Sequence, residues 1–165
     1  MRNITDIIEE NKNHKKFVKK AIVAKLDFDG YYTDTPDVDA DGVYAAFSRK
    51  KENPQTPENY LLVYIGIGNI KERISDHINN DHPKWANKGC YAPSYEEVVY
   101  SYAPFSYDDG LSEIEKVLVN QANPCYNTVY TECFESDCLS IYVGCRGNKG
   151  CLKSTYNWFN PKWYK

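Results

Sequence analysis

A small set of side chains in this sequence is suited to chemistry on a phosphate group. Arg73 and His77 are four residues apart, so on a helix they would share one face, and a guanidinium offers a rigid fork of donors to phosphate oxygens. Glu115 follows in a second amphipathic stretch, where a carboxylate is costly to bury unless a cation meets it. One carboxylate, together with water and phosphate oxygens, is enough to hold Mg²⁺. The pattern indicates a site where a phosphate and one divalent ion meet.

Two tyrosine-containing segments precede these residues. The segment GVY, residues 42–44, opens the apolar stretch 42–48, and the segment VYIG, residues 63–66, ends the apolar stretch 60–66. Their β-branched and aromatic residues predict two strands. The connection between them, RKKENPQTPEN, holds two prolines and predicts a polar loop.

The order of these elements resembles the GIY-YIG nuclease family. That family has a Gly-x-Tyr strand, a Tyr-x-Gly strand, an arginine on the next helix, and a glutamate on a later helix ahead of Pro-x-x-Asn, which corresponds here to Pro124 and Asn127. The resemblance covers residues 42–127, with valine in place of isoleucine in the first motif. It implies an α+β fold in which a three-stranded antiparallel sheet is flanked by helices. It also implies an endonuclease that uses one Mg²⁺ or Mn²⁺ ion to cut DNA, with RNA not excluded.

The resemblance also assigns roles to residues. Tyr44 is expected to be the general base and Tyr64 a partner that positions water or phosphate; a free tyrosine has a pKa near 10, but adjacent cations would favour its phenolate. Glu115 is the expected metal ligand, since Glu113 lies on a different helix face and the spacing to the Pro-x-x-Asn motif selects Glu115. Gly66 and Lys71 are weaker candidates for substrate contact. The predicted catalytic set is Tyr44, Tyr64, Arg73, His77, Glu115 and Asn127.

The remaining segments are predicted from periodicity and from residues that break regular structure. A helix capped by Asn69 is expected up to about residue 79, followed by a loop and then a strand over 95–103. A further helix is expected from Asp108 or Asp109 up to the break at Pro124, and a strand over 139–144.

The two ends of the chain extend this core. Residues 4–24 show mixed helical signals, and residues 27–41 hold six aspartates and predict an acidic loop. We expect one domain over 1–165, made of an N-terminal helix and acidic loop (1–41), the core (42–127) and a C-terminal extension with a strand and an aromatic tail (128–165). The tail, STYNWFNPKWY, has the aromatic and cationic residues that grip nucleic acids, but it could equally pack across the domain.

A calcium loop is an alternative interpretation of the acidic segment. Asp37, Asp39, Asp41 and Gly42 match the opening of such a loop, but the twelfth position, which needs a bidentate glutamate, is Ser48. We therefore expect these aspartates to form turns.

Four late cysteines could form a zinc site, but their spacing fits poorly, and we expect buried thiols instead. These four are Cys133, Cys138, Cys145 and Cys151.

The charge and hydropathy of the sequence limit which partners can be expected. The net charge of −3 argues mildly against nucleic acid, yet residues 12–25 carry six lysines without an acid, and no acidic residue follows Asp137. Either these lysines meet a polyanion or they form a solvated helix face.

No apolar run approaches the ~20 residues that span a bilayer, and no signal peptide is evident, so we expect a cytoplasmic protein without a membrane partner. The alternatives to a nuclease are an inactive nucleic-acid-binding module of the same fold and an interaction protein that uses its acidic loop.

Overall fold

The sheet that supports the candidate site has six strands among the residues that the structure, a computed structural model, describes, 21–163. The strands are Ile22–Tyr32 (β1), Asp41–Lys50 (β2), Leu61–Asn69 (β3), Glu96–Pro104 (β4), Ser140–Gly147 (β5) and Thr155–Phe159 (β6). They form one curled sheet in the order β3-β2-β4-β1-β5-β6. The pair β1–β5 is parallel and the other pairs are antiparallel, so the sheet is mixed.

The helices follow β3 and β4. Ile70–Asp76 (α1) begins at Asn69, whose side chain accepts a hydrogen bond from the amide of Glu72, as the sequence predicts. A π-helical turn, His77–Asp81, continues directly into His82–Asn87 (α2), where a loop was predicted. Leu111–Ala122 (α3) ends before Pro124, as expected. Within residues 21–163, no helix has the length and apolar character to cross a membrane.

The predicted sheet of three antiparallel strands flanked by helices is wrong. The strands β3, β2 and β4 do pair antiparallel, but β1 joins β4 and carries β5 and β6 with it. The result is a six-stranded mixed sheet with few helices. Both predicted extensions thus contribute strands to the same sheet.

The acidic loop predicted over 27–41 is wrong in its first part, because residues 27–32 belong to β1. Leu26 and Phe28 are buried while Asp27 and Asp29 are exposed, which is the alternation of a strand with one solvated face. The helix predicted over 4–24 lies largely outside the described residues, and residues 22–24 are in β1 instead.

Strand β2 is buried on both faces and separates two hydrophobic clusters. Val43, Ala45 and Phe47 pack in the cluster that includes α3, whereas Tyr44 and Ala46 pack in the cluster that includes α1. Two helices that come from distant parts of the sequence therefore lie against the two faces of one central strand.

Candidate active site

Tyr44 and Tyr64 stand side by side on neighbouring strands. Tyr44 is fully buried on β2 and is paired across the sheet with Gly66 of β3. Tyr64 pairs with Ala46, which is two residues from Tyr44 on β2, so regular strand alternation puts Tyr64 on the face that carries Tyr44. The two phenol rings stack with centroids 6.2 Å apart. The predicted pair of tyrosines thus shares one small region of the sheet.

His77 lies against both rings and is only 5% exposed. Its Nε2 atom is 2.9 Å from the Tyr44 hydroxyl, and its Nδ1 atom is 2.6 Å from Oδ2 of Asp81. Burial lowers the pKa of His77, although the hydrogen bond to Asp81 acts in the opposite direction. The imidazole is therefore neutral at physiological pH and connects a phenol to a carboxylate.

Arg73 supplies the cation of the cluster. Its side chain is 45% exposed and lies next to both phenols, whose pKa values it acts to lower. Burial nevertheless outweighs this effect and raises the pKa of Tyr44 above its ordinary value. Both phenols are thus protonated at neutral pH, and the guanidinium keeps an accessible side from which a phosphate could be bound.

Glu115 comes from α3 and lies close enough to the cluster for its charge to act on both tyrosines. Its carboxylate acts to raise the pKa of Tyr64 and of Tyr44, and Arg73 acts to lower the pKa of Glu115. Burial is the larger influence on Glu115 and raises its pKa. No hydrogen-bond donor or cation among residues 21–163 pairs directly with this carboxylate, so a hard divalent cation would fit it: the cation would replace the missing partner and offset the cost of burial.

Glu113, the other acidic residue of α3, has a different environment. Its Oε1 atom lies 2.7 Å from Nζ of Lys116, whereas its Oε2 atom is buried and has no hydrogen-bond partner among residues 21–163. It lines a surface cavity with residues of β1 and of the loop before β5, and no residue of the predicted site lines that cavity. The two glutamates of α3 therefore lie in different surroundings, and the choice of Glu115 as the metal ligand stays a prediction.

Asn127 holds the strand that carries Tyr64 and Gly66. Its side-chain oxygen accepts from the amide of Ile65 at 2.9 Å, and its side-chain nitrogen donates to the Ile65 carbonyl at 2.7 Å. The amides of Cys125 and Tyr126 extend this pairing to Leu62 and Val63. Both polar atoms of the Asn127 side chain therefore bond to the backbone of Ile65, which makes Asn127 a positioning residue for β3.

Lys71 and the acidic segment before β2 are in contact with each other. The Lys71 ammonium lies 2.7 Å from Oδ1 of Asp37, and the side-chain nitrogen of Asn69 donates to Oδ1 of Asp39 at 2.6 Å. These aspartates hold the first turn of α1, and across residues 21–163 no group of three or more His, Cys, Asp or Glu side chains could hold a metal ion. A phosphate contact of Lys71 would have to replace its contact with Asp37.

The sequence analysis did not identify several residues that shape the site. Trp85 stacks on Tyr64 at 5.9 Å and on Tyr126 at 5.7 Å, and thereby closes the aromatic cluster behind His77. Asp81 is the second partner of His77. Asp81 could have been found from its spacing, because it follows His77 by four residues, whereas Trp85 lies in a segment whose proline favoured a loop.

The late cysteines and the aromatic tail lie away from this cluster. Cys138 and Cys145 are buried thiols, whereas Cys133 and Cys151 are exposed. In the tail, Tyr156 is buried and Trp158 packs on Phe134 at 5.1 Å, while Phe159 is 59% exposed. Tyr156 and Trp158 thus pack against the domain, whereas most other residues of the described tail are exposed.

Comparisons with known proteins find no match among family models, curated proteins or solved structures. The resemblance to the GIY-YIG nucleases is therefore a prediction that rests on the motifs, and the arrangement of the side chains has to be judged on its own chemistry.

Proposed function

We propose that this protein is a metal-dependent endonuclease that hydrolyses phosphodiester bonds in DNA with one Mg²⁺ or Mn²⁺ ion. The observation that carries the proposal is the convergence of two phenols, a guanidinium, an imidazole and a carboxylate. They come from β2, β3, α1, the π-helical turn and α3, so the fold and not local sequence brings them together. These are groups that bind a phosphate, move a proton and hold a cation.

Arg73 is the phosphate-binding group in this proposal. Hydrolysis concentrates negative charge on the phosphate oxygens in the transition state, and a guanidinium in a partly buried site stabilises that charge better than water does. Arg73 interacts with both phenols and remains 45% exposed, so an incoming phosphate can reach it.

Tyr44 is the proposed general base. Because burial raises the pKa of Tyr44, its phenol carries a proton at neutral pH. It can accept a proton from water only while it gives up this first proton. The nitrogen 2.9 Å away on His77 lies where that proton would go. Tyr64, with its ring 4.8 Å from that of His77, would orient the water or the phosphate.

Glu115 is the proposed ligand of the ion. A divalent cation at this carboxylate would supply positive charge beside the phosphate and make an adjacent water more acidic. Glu115 would hold the ion in place, and its carboxylate has no competing partner among the residues described.

The proposal is tested with supercoiled plasmid, branched DNA and RNA, each incubated with the full-length protein with and without Mg²⁺. We expect the plasmid to be converted to nicked or linear forms with Mg²⁺ and to stay intact with EDTA. Retarded migration of intact DNA would instead identify a binding module of the same fold. Cleavage of RNA alone would correct the substrate, and no effect on any of the three would refute the proposal.

A further inference from the structure

His77 and Asp81 belong to one π-helical turn, and this turn fixes how the imidazole faces the sheet. The amide of His82 bonds to the carbonyl of His77, five residues back, which widens the turn, and such widened turns occur frequently at functional sites. Asp81 then lies beside the ring, with Oδ2 at 2.6 Å from Nδ1 of His77. Its other oxygen, Oδ1, accepts from Lys84 at 2.9 Å.

These contacts determine which nitrogen of His77 carries the proton. Burial acts to raise the pKa of Asp81, but the hydrogen bonds from Lys84 and His77 lower it overall, so this carboxylate is ionised and can only accept. The Nδ1 atom must then be the donor. In a neutral imidazole the Nε2 atom is left as an acceptor, and the group it faces, 2.9 Å away, is the Tyr44 hydroxyl.

We propose that Asp81 is a positioning residue for the reaction: it holds His77 as the Nδ1–H tautomer, so that Nε2 receives the proton of Tyr44 when the Tyr44 oxygen takes a proton from the attacking water. This inference rests on the proposed function. It assigns a role to a residue that makes no contact with Tyr44 or with the phosphate and acts only through His77.

The proton transfers of this step balance with one proton exchanged with solvent. The water gives one proton to the Tyr44 oxygen and becomes the hydroxide that bonds to phosphorus, while the Tyr44 O–H bond breaks and its proton goes to Nε2. His77 is then a cation, and the Asp81 carboxylate beside Nδ1 stabilises it. The bond from phosphorus to the leaving oxygen breaks, and that oxygen is protonated from solvent. Nε2 of His77 then returns its proton to the Tyr44 oxygen as that oxygen releases the water-derived proton to solvent.

The charge on His77 responds to groups from each element packed against it. Asp81 and Asp76 favour the imidazolium, whereas Arg73 disfavours it. The rings of Tyr44, Tyr64 and Trp85 cover it, and burial against them keeps the imidazole neutral before the reaction. The titratable and charged groups around His77 are Tyr44 from β2, Tyr64 from β3, Arg73 and Asp76 from α1, Asp81 from the turn and His82 from α2.

The tautomer is tested first, without DNA, by ¹⁵N NMR of the imidazole rings in the full chain. The sequence has three histidines, and the signals of His77 are assigned with a His77→Gln variant. We expect the Nδ1–H tautomer in the wild type and a mixture of tautomers in Asp81→Ala. Asp76→Asn, which removes a nearby carboxylate without a bond to the ring, should keep the wild-type tautomer. An Nε2–H tautomer in the wild type would overturn the inference.

The role in the reaction is tested by the pH dependence of plasmid cleavage. Asp81→Ala should lower kcat by at least ~10-fold, because Asp81 only positions the group that takes the proton and a proton-transferring group itself contributes about 10²- to 10⁴-fold. It should change KM for DNA less than about twofold. Because Asp81 favours the imidazolium, its removal should move the acidic limb of the kcat profile to lower pH. An unchanged kcat and profile would overturn the inference. Absence of cleavage by the wild type would refute the proposed function, whereas an Nε2–H tautomer in a protein that cleaves would refute only the role of Asp81.

Discussion

Gly66 lies directly beneath the phenol of Tyr44, so close that a Cβ atom at position 66 would come within 2.3 Å of the Tyr44 hydroxyl oxygen. The glycine of the second motif thus leaves the space that the tyrosine of the first motif fills. This relationship gives a structural reason for the two motifs to occur together, because the Tyr44 hydroxyl can reach His77 only if position 66 has no side chain.

Gly66→Ala is therefore expected to displace the Tyr44 ring and to lower the cleavage rate at least ~10-fold, since small displacements of a reacting group cost large factors in rate. The matched control is Gly144→Ala, also in a strand. Its added Cβ would meet nothing closer than 3.6 Å, an ordinary contact. Plasmid nicking rates and melting temperatures of both variants check the prediction. Equal cleavage by the two variants would contradict it.

Tyr44→Phe isolates the hydroxyl from the ring. The variant keeps the packing but removes the group next to His77, so kcat should fall at least ~100-fold if Tyr44 is the general base. Tyr100→Phe is a close match, because the Tyr100 hydroxyl lies 2.6 Å from Nε2 of another histidine, His82, on the same face. It should cost about 1 kcal/mol of stability, as for a buried hydrogen bond, and leave cleavage intact. Similar kcat values for the two variants would argue against the proposed base.

Much of the core was predictable because its periodicities are strong. The strands β2, β3 and β4 and the helices α1 and α3 occur where the apolar spacing, the Asn69 cap and the Pro124 break place them. The Glu115 assignment came from the resemblance and its spacing, and it stays a prediction.

The rest of the fold depends on interactions that the sequence analysis did not weigh. Asp27 and Asp29 suggested a loop, yet they are the solvated side of β1, whose other side packs in the core. Pro83 suggested a break after α1. In the structure it lies in the first turn of α2, where a missing amide costs little. Trp85 was missed for this reason.

Asn127→Ala tests the attachment of β3. Loss of the two hydrogen bonds to Ile65 should lower the free energy of unfolding by about 1–2 kcal/mol and reduce cleavage, because the strand that carries Tyr64 and Gly66 loses its outer partner. Chemical denaturation measures the first effect. Asn79→Ala is the control: its side chain is exposed, with only a long contact of 3.4 Å to Ser75, so it should change the stability little. If both variants unfold alike, the positioning role is wrong.

The Glu115 carboxylate should destabilise the folded protein when no metal is bound. Its pKa is raised in the folded state, so the folded protein binds this proton more tightly than the unfolded one, and stability falls as pH rises from about the ordinary value of 4.5 through the folded pKa. At pH 7 without metal, Glu115→Gln should melt at a higher temperature than the wild type, and the difference should vanish in acid below that window. Added Mg²⁺ should raise the melting temperature of the wild type only. Equal shifts with Mg²⁺ in both proteins would place the ion elsewhere.

The central claim, that Glu115 holds the ion that the reaction needs, is tested most directly by comparing two substitutions on one helix. Glu115→Gln and Glu113→Gln change the same atoms two positions apart, and only Glu115 faces Tyr64 and Arg73. The measurement is the initial rate of supercoiled plasmid nicking at saturating Mg²⁺, with both variants shown to be folded. We predict a loss of at least ~100-fold for Glu115→Gln and a wild-type rate for Glu113→Gln. Nicking by Glu115→Gln at the wild-type rate would contradict the account.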